Sequence, residues 1–106
     1  MREILINSDK LKEEMSLYRK QYISVRAEFR DDGIMLPQAI FLTDGREYPV
    51  DRVKKIYSAR SRKTDERSDR YTVEIGGRER FLFFERNPEP YERPLGRWYV
   101  EVRDNA

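Results

Sequence analysis

The sequence contains no cysteine and no histidine. Their absence removes a disulfide framework, a thiol nucleophile, an imidazole base and any Cys/His zinc site, and with them much of enzyme chemistry. Long apolar runs are missing too. None approaches the about 20 residues a membrane-spanning helix needs, and Met1 to Ile6 holds no apolar stretch of signal-peptide length. The expectation is a cytoplasmic protein with no membrane partner. Internal repeats and low-complexity segments are absent as well. Carboxylates, lysines, tyrosines and serines remain as reactive groups, but no paired constellation of them is visible, so the chain reads as no enzyme, with no cofactor and no metal.

What is present suits one small folded unit. The 106 residues are 38% hydrophobic and 12% aromatic, enough for a single modest core. Charged residues reach 40%, with 22 Lys and Arg against 20 Asp and Glu, so the net of +2 names no partner by itself. Its distribution says more: residues 52 to 70 sum to +5, whereas the segments before and after are neutral or slightly acidic.

Turn signals organise the chain. Asp31-Asp32-Gly33, Asp44-Gly45 and Gly76-Gly77 each separate two apolar-rich runs of strand length. Ile23, Val25, Ala27 and Phe29 alternate with polar residues, as in a strand with one buried face. A three-residue turn with Gly33 left-handed sets Phe29 against Met35, Ala27 against Pro37, Val25 against Ala39 and Ile23 against Phe41. Pro37 has no N–H for a ladder, so that strand is expected to be bulged or edge-like there. A two-residue Asp44-Gly45 turn sets Phe41 against Tyr48 and Ala39 against Val50. At Gly76-Gly77 a two-residue turn would oppose Glu74 to Glu79, so a three-residue loop is preferred, which pairs Glu74 with Arg78 and Tyr71 with Phe81 and places Tyr71, Val73, Phe81 and Phe83 on one face. The last strand, Arg97 to Arg103, presents Trp98, Val100 and Val102 inward and Tyr99, Glu101 and Arg103 outward. Residues 50 to 60 fit a bulged strand better than a helix, and 87 to 96, rich in proline, read as loop.

Ile34, Leu36, Ile40 and Leu42 are left as an apolar stripe on the other face of the second strand. Residues 8 to 20, with Leu11, Met15 and Tyr18 at helical spacing and Ser8 as N-cap, are expected to cover it. The division is thus a helical segment over 1–21 and a β domain over 22–103. The fold class is mainly β: a strongly bent antiparallel meander or partly open SH3-like small barrel of six or seven strands, with an OB-type barrel as the alternative.

The basic run Arg52, Lys54, Lys55, Arg60, Arg62 and Lys63, with Tyr57 in its middle, contains no acid. It suits tracking a phosphate backbone while an aromatic stacks on a base; read structurally, it is a solvated strand and its exit loop. Tyr22, Tyr57, Tyr91 and Tyr99 lie nearer the surface and could form an aromatic groove. Asp31, Asp32 and Asp44 read as turn residues rather than metal ligands, and Gly76-Gly77-Arg78 lacks the lysine and the helix of a phosphate loop. The expected function is a small non-enzymatic binding module using Arg52, Lys54, Lys55, Tyr57, Arg60, Arg62 and Lys63 on single-stranded nucleic acid. The alternative is a protein–protein interaction or accessory module of the SH3-like kind.

Ile23 to Phe29, Pro37 to Phe41, Asp44 to Val53, Arg70 to Glu79 and Arg97 to Glu101 carry a resemblance. Over residues 22 to 101 the chain resembles a family of short, uncharacterised bacterial small-β-barrel proteins. The Gly45-Arg-x-Tyr-x-Val and Arg97-Trp-Tyr elements are also distantly similar to a domain of unknown function found beside lesion-bypass DNA polymerases. The resemblance implies an accessory role near DNA repair and assigns no functional residue; the stretch Tyr91 to Gly96 has no counterpart in it.

Overall fold

The computed structural model describes residues 18–60, 67–87 and 95–103. They form seven antiparallel strands: β1 (Tyr18–Phe29), β2 (Met35–Phe41), β3 (Glu47–Pro49), β4 (Arg52–Arg60), β5 (Arg67–Ile75), β6 (Arg78–Arg86) and β7 (Gly96–Arg103). Their order, β3-β2-β1-β7-β6-β5-β4, makes a meander that curls into a half-barrel. Two places impose the curl. β1 pairs with β7 through Ile23 and with β2 from Ser24 onward, so one strand serves two neighbours in succession. Between β3 and β4, Val50 N–H donates to Gln38 O on β2 and the next residue, Asp51, donates to Glu74 O on β5, each at 2.8 Å. The two edge strands of the sheet are therefore consecutive in the chain.

The core lies inside this curl: Ile40, Tyr71, Val73, Leu82, Phe84 and Trp98, flanked by Ile23, Val25, Ala27 and Val100. Trp98 packs between the rings of Tyr71 and Phe84, at centroid distances of 5.0 and 5.1 Å. The Tyr71 hydroxyl donates to Met35 O at 2.7 Å, joining β5 to β2 across the core, and burial raises its pKa above the usual phenol value. Asp69 is buried on the same side and satisfied, accepting from Ser58 Oγ at 2.8 Å and from Arg86 Nη2 at 2.9 Å.

The Asp-Asp-Gly turn forms as expected, with Gly33 at φ 87° and Phe29 and Ala27 opposite Met35 and Pro37. Beyond Pro37 the expected register fails by one residue. Gln38 is extra, so Arg26 pairs with Ala39 and Val25 with Ile40 instead of Ala39; Ser24, not Ile23, meets Phe41. This is the bulge that a proline in a ladder invites, and it places two successive side chains on one face. Its effect on the apolar stripe is direct: Ile40 and Leu42 turn into the core, and only Ile34 and Leu36 stay outside. No covering helix is required for Ile40 and Leu42. Tyr18 to Lys20, expected to end that helix, are strand; Leu11, Met15 and the rest of it lie outside the described residues.

Both later hairpins also correct the expectation. The Asp44-Gly45 loop has three residues, closed by Gly45 N–H to Leu42 O and with Gly45 at φ 80°, so Tyr48 faces Ile40 rather than Phe41, and Ala39 faces Pro49 rather than Val50. Gly76-Gly77 is a two-residue turn with both glycines at positive φ, which suits the twist of the flanking strands. Glu74 does oppose Glu79, and Tyr71 opposes Leu82 instead of Phe81. Lys54 makes this tolerable: a bulge in β4 turns its ammonium to 3.8 Å from Glu74 and 3.3 Å from Glu79. Tyr71 and Val73 are then core, whereas Phe81 and Phe83 face outward.

Two outcomes are expected. Lys54→Met leaves the opposed carboxylates unbridged; the side chains are 32 to 55% exposed and solvent screens the pair, so the cost is about 0.5 kcal/mol, read as a small drop in melting temperature at low salt that shrinks as salt is added. An unchanged melt at low salt would show the bridge to be idle. Gly96→Ala places a Cβ 2.5 Å from Glu85 O and 2.7 Å from the Phe84 ring, so it should cost about 2 kcal/mol or more. Gly33→Ala meets no atom within 4 Å and strains only the backbone, so a melt at which both variants are equally stable would contradict the packing described.

Candidate nucleic-acid interface

Register places one row of side chains on the outer face of five strands. Tyr22 on β1 is opposite Tyr99 on β7, Tyr99 opposite Phe83 on β6, Phe83 opposite Arg70 on β5, and Arg70 opposite Tyr57 on β4. At a strand spacing of about 4.8 Å, the row extends about 19 Å. Directly opposed residues share a face, so the row follows from pairing alone.

The middle of the row is packed. Phe83 and Tyr99 stack at 4.9 Å with an interplanar angle of 6°, and Tyr22 meets Tyr99 edge-on at 5.9 Å. Tyr99, expected outward and near the surface, is on the outer face but only 6% exposed, because these rings and the Lys20 ammonium, 4.8 Å from its centroid, cover it. The ends are open: Tyr22 is 39% and Tyr57 55% exposed.

Cations lie on the rings. Arg97 sits 3.7 Å above Tyr22, and the Arg70 guanidinium lies 4.9 Å from the Phe81 centroid and 5.3 Å from that of Tyr57. Three acids of this face are occupied, while Glu101, opposite Lys20 on β1, has no ion pair among the described residues. Glu85 accepts from the Tyr22 hydroxyl at 2.8 Å and from Lys20 at 3.4 Å, and Glu74 and Glu79 share Lys54. Arg52, Lys55, Arg70 and Arg97 have no ion pair among the described residues.

The described part of the expected basic run divides between free and paired positions among the described residues. Lys55 and Tyr57 stand on the outer face beside Arg70, and Arg52 on the same face opposite Glu74, but Lys54 is committed to two carboxylates. Arg60 is placed by its backbone pairing with Arg67; Arg62, Lys63 and Tyr91 lie outside the described residues. Arg70, Phe81, Phe83 and Arg97 join the site without having been singled out in the sequence. A two-residue Gly76-Gly77 turn is the signal for Arg70, Phe81 and Phe83, since it is the register that brings Arg70 opposite Phe83; Arg97 has no such local signal.

Two concave regions complete the surface. A cleft of about 1050 Å³ opens where the β6–β7 ladder ends at the Phe83–Tyr99 pair, with Ile40, Leu42, Ile75 and Leu82 on its walls and Arg78 and Arg80 at its rim. A shallower one of about 580 Å³ lies between β2 and β4, beside Ile34, Leu36 and Ile56. Asp32 and Asp44 act as turn residues, accepting from Ile34 N and Arg46 N; among the described residues no group of acidic side chains is placed to hold a metal ion. Among them, too, no helix is long and apolar enough to cross a membrane. No family model, curated protein or solved structure matches the chain.

The Tyr22–Glu85 contact has a pH signature. The hydrogen bond to Glu85, aided by burial, raises the Tyr22 phenol above its ordinary 10.0. Stability from a raised group is complete below the ordinary value and is lost as pH rises through the raised one. Tyr22 should therefore ionise above a free tyrosine, and Glu85→Ala should bring it down, as read from its ring resonances in an alkaline titration. Identical titration in both proteins would mean the hydrogen bond is not made.

Proposed function

We propose that the chain is a small, non-enzymatic binding module of the SH3-like barrel kind that holds single-stranded nucleic acid across its outer face. The observation that carries this reading is the cross-strand row, whose aromatic ends are exposed and whose cations, Arg70 within it and Lys55 and Arg97 beside it, have no carboxylate partner among the described residues. Stacking tolerates any base because every base has a π-face, and free cations on the same face supply the phosphate term. A row of about 19 Å fits a run of about four nucleotides, the lower end of the site sizes of small barrels. Duplex suits it less, since paired bases cannot leave their stack to meet Tyr22 or Tyr57.

A second reading has its own observation. Beyond Phe83 and Tyr99 the facing edges of β6 and β7 are unpaired with each other and border the larger cleft, which is where an extended peptide could add as a strand. It would make the chain a protein-interaction module.

Fluorescence anisotropy with labelled single-stranded DNA and RNA separates the two. Binding should weaken steeply between about 50 and 200 mM salt. Tyr57→Ala should cost about 1 to 3 kcal/mol on single strands and much less on duplex. No binding at protein concentrations up to about 100 μM, the weak end of non-specific association, would remove the nucleic-acid reading and favour the cleft.

A further inference from the structure

Arg70 is held unlike any other cation of the outer face. Its guanidinium lies between the rings of Phe81 and Tyr57, at 4.9 and 5.3 Å from their centroids. Its Nε is buried and has no hydrogen-bond partner, so ring contact rather than a hydrogen bond fixes the side chain. It has no ion pair among the described residues. The adjacent acid, Asp69, faces the other way and is taken by Ser58 and Arg86. Of the outer-face acids nearby, Glu74 on its own strand and Glu79 on β6 are shared by Lys54, and Glu85 on β6 accepts from Tyr22 and Lys20.

A guanidinium fixed between rings keeps its charge and its planar fork while losing little freedom on binding, and its remaining donors are those on the terminal nitrogens. Part of its hydration has already been replaced by ring surface, so an anion that meets it gains a charge-assisted contact at low ordering cost. The two rings that hold it are 46% and 55% exposed, which leaves each with surface for a further planar group. The arrangement is thus a cation flanked by two stacking platforms. Along a nucleic-acid strand, a phosphodiester flanked by two bases has the matching order.

Resting on the nucleic-acid reading above, we propose that Arg70 is the phosphate anchor of the site: it takes one internal phosphodiester of a single strand while Tyr57 and Phe81 stack the bases on either side. A side chain that only filled space between two rings would be indifferent to backbone charge. An anchor would not be.

The test crosses protein charge with ligand charge. Wild type and Arg70→Gln are titrated with a short labelled oligothymidylate and with the same oligomer carrying neutral methylphosphonate linkages. Arg70→Gln should weaken binding of the charged strand about tenfold or more, as expected for loss of one hydrogen-bonded charged contact, and should leave binding of the neutral strand nearly unchanged. The salt slope for the charged strand should fall by about 0.7, one phosphate's share on single strands. Arg70→Lys should retain that slope and still bind more weakly, because an ammonium keeps the charge without the fork. The neutral oligomer also reports on the variant's folding, because an Arg70→Gln protein that still binds it as wild type does has kept its platform.

If Arg70→Gln weakens both strands equally, or neither, the anchor assignment is overturned while the nucleic-acid reading stands. If wild type binds neither strand at any salt, the function reading fails and takes the anchor with it, and the two failures are told apart by the wild-type titration alone.

Discussion

The hand-over at Val50 and Asp51 is the constraint on which the rest of the structure depends. Two adjacent N–H groups are committed to opposite ends of the sheet, one to Gln38 on β2 and the other to Glu74 on β5. Neither strand could move far without leaving a backbone group unpaired, and such a loss costs about 1 to 3 kcal/mol where water is excluded. Because β3 and β4 are consecutive, the two edges of the meander are tied by a covalent link with no loop to lengthen. The Tyr71 hydroxyl, reaching Met35 O from β5, repeats the tie across the core. Curl and core follow together, for a sheet so tied must bend around whatever side chains lie between its ends.

Much of this architecture is legible in the sequence, and its errors share one form. The strands, the bulge near Pro37, the strand character of residues 52 to 60 and the Gly33 turn can all be read from alternation and turn chemistry. What cannot be read is a slip of one residue. At Pro37 the presence of a bulge is deducible, but not which residue is extra, and that residue decides whether Val25 meets Ala39 or Ile40. At Asp44-Gly45 the dipeptide fits a two-residue and a three-residue loop alike, and only the tertiary pairing decides. At Gly76-Gly77 the local argument from opposed carboxylates is sound, yet it omits Lys54, which lies 25 residues from Glu79 in sequence and neutralises the clash. Long-range compensation of that kind has no local signature. Each slip exchanges inward for outward side chains, which is why Ile40 and Phe81 lie on the faces opposite to those that alternation alone predicts.

The candidate site depends on those same slips. Tyr57 and the positive character of β4 are evident from composition, but an aromatic row across five strands exists only when four registers agree. In the sequence the basic run is a linear feature. In the folded chain, charge is apportioned by neighbours: Lys54 is spent on two acids, whereas Arg70, from a different strand, lies between two rings with no ion pair among the described residues. A net charge near zero over the whole molecule is therefore compatible with a local excess of unpaired cations on one face.

Rigidity and exposure are graded along the row in a way that ties function back to the curl. Phe83 and Tyr99, at its centre, are stacked and largely covered, so they serve as a base on which other groups rest. The exposed rings stand at the ends, on β1 and β4. These are the strands at the two corners of the sheet: Tyr22 immediately precedes the point where β1 passes from β7 to β2, and Tyr57 follows the Asp51 hand-over within β4. The separation of the two exposed rings is thus set by the corners that fix the curl rather than by loops. An open sheet with the same sequence of aromatics would let that separation drift with twist, and a ligand bridging both rings would then meet the cost of ordering them. In the curled sheet that cost is met during folding, because the backbone bonds that hold the corners hold the platform as well.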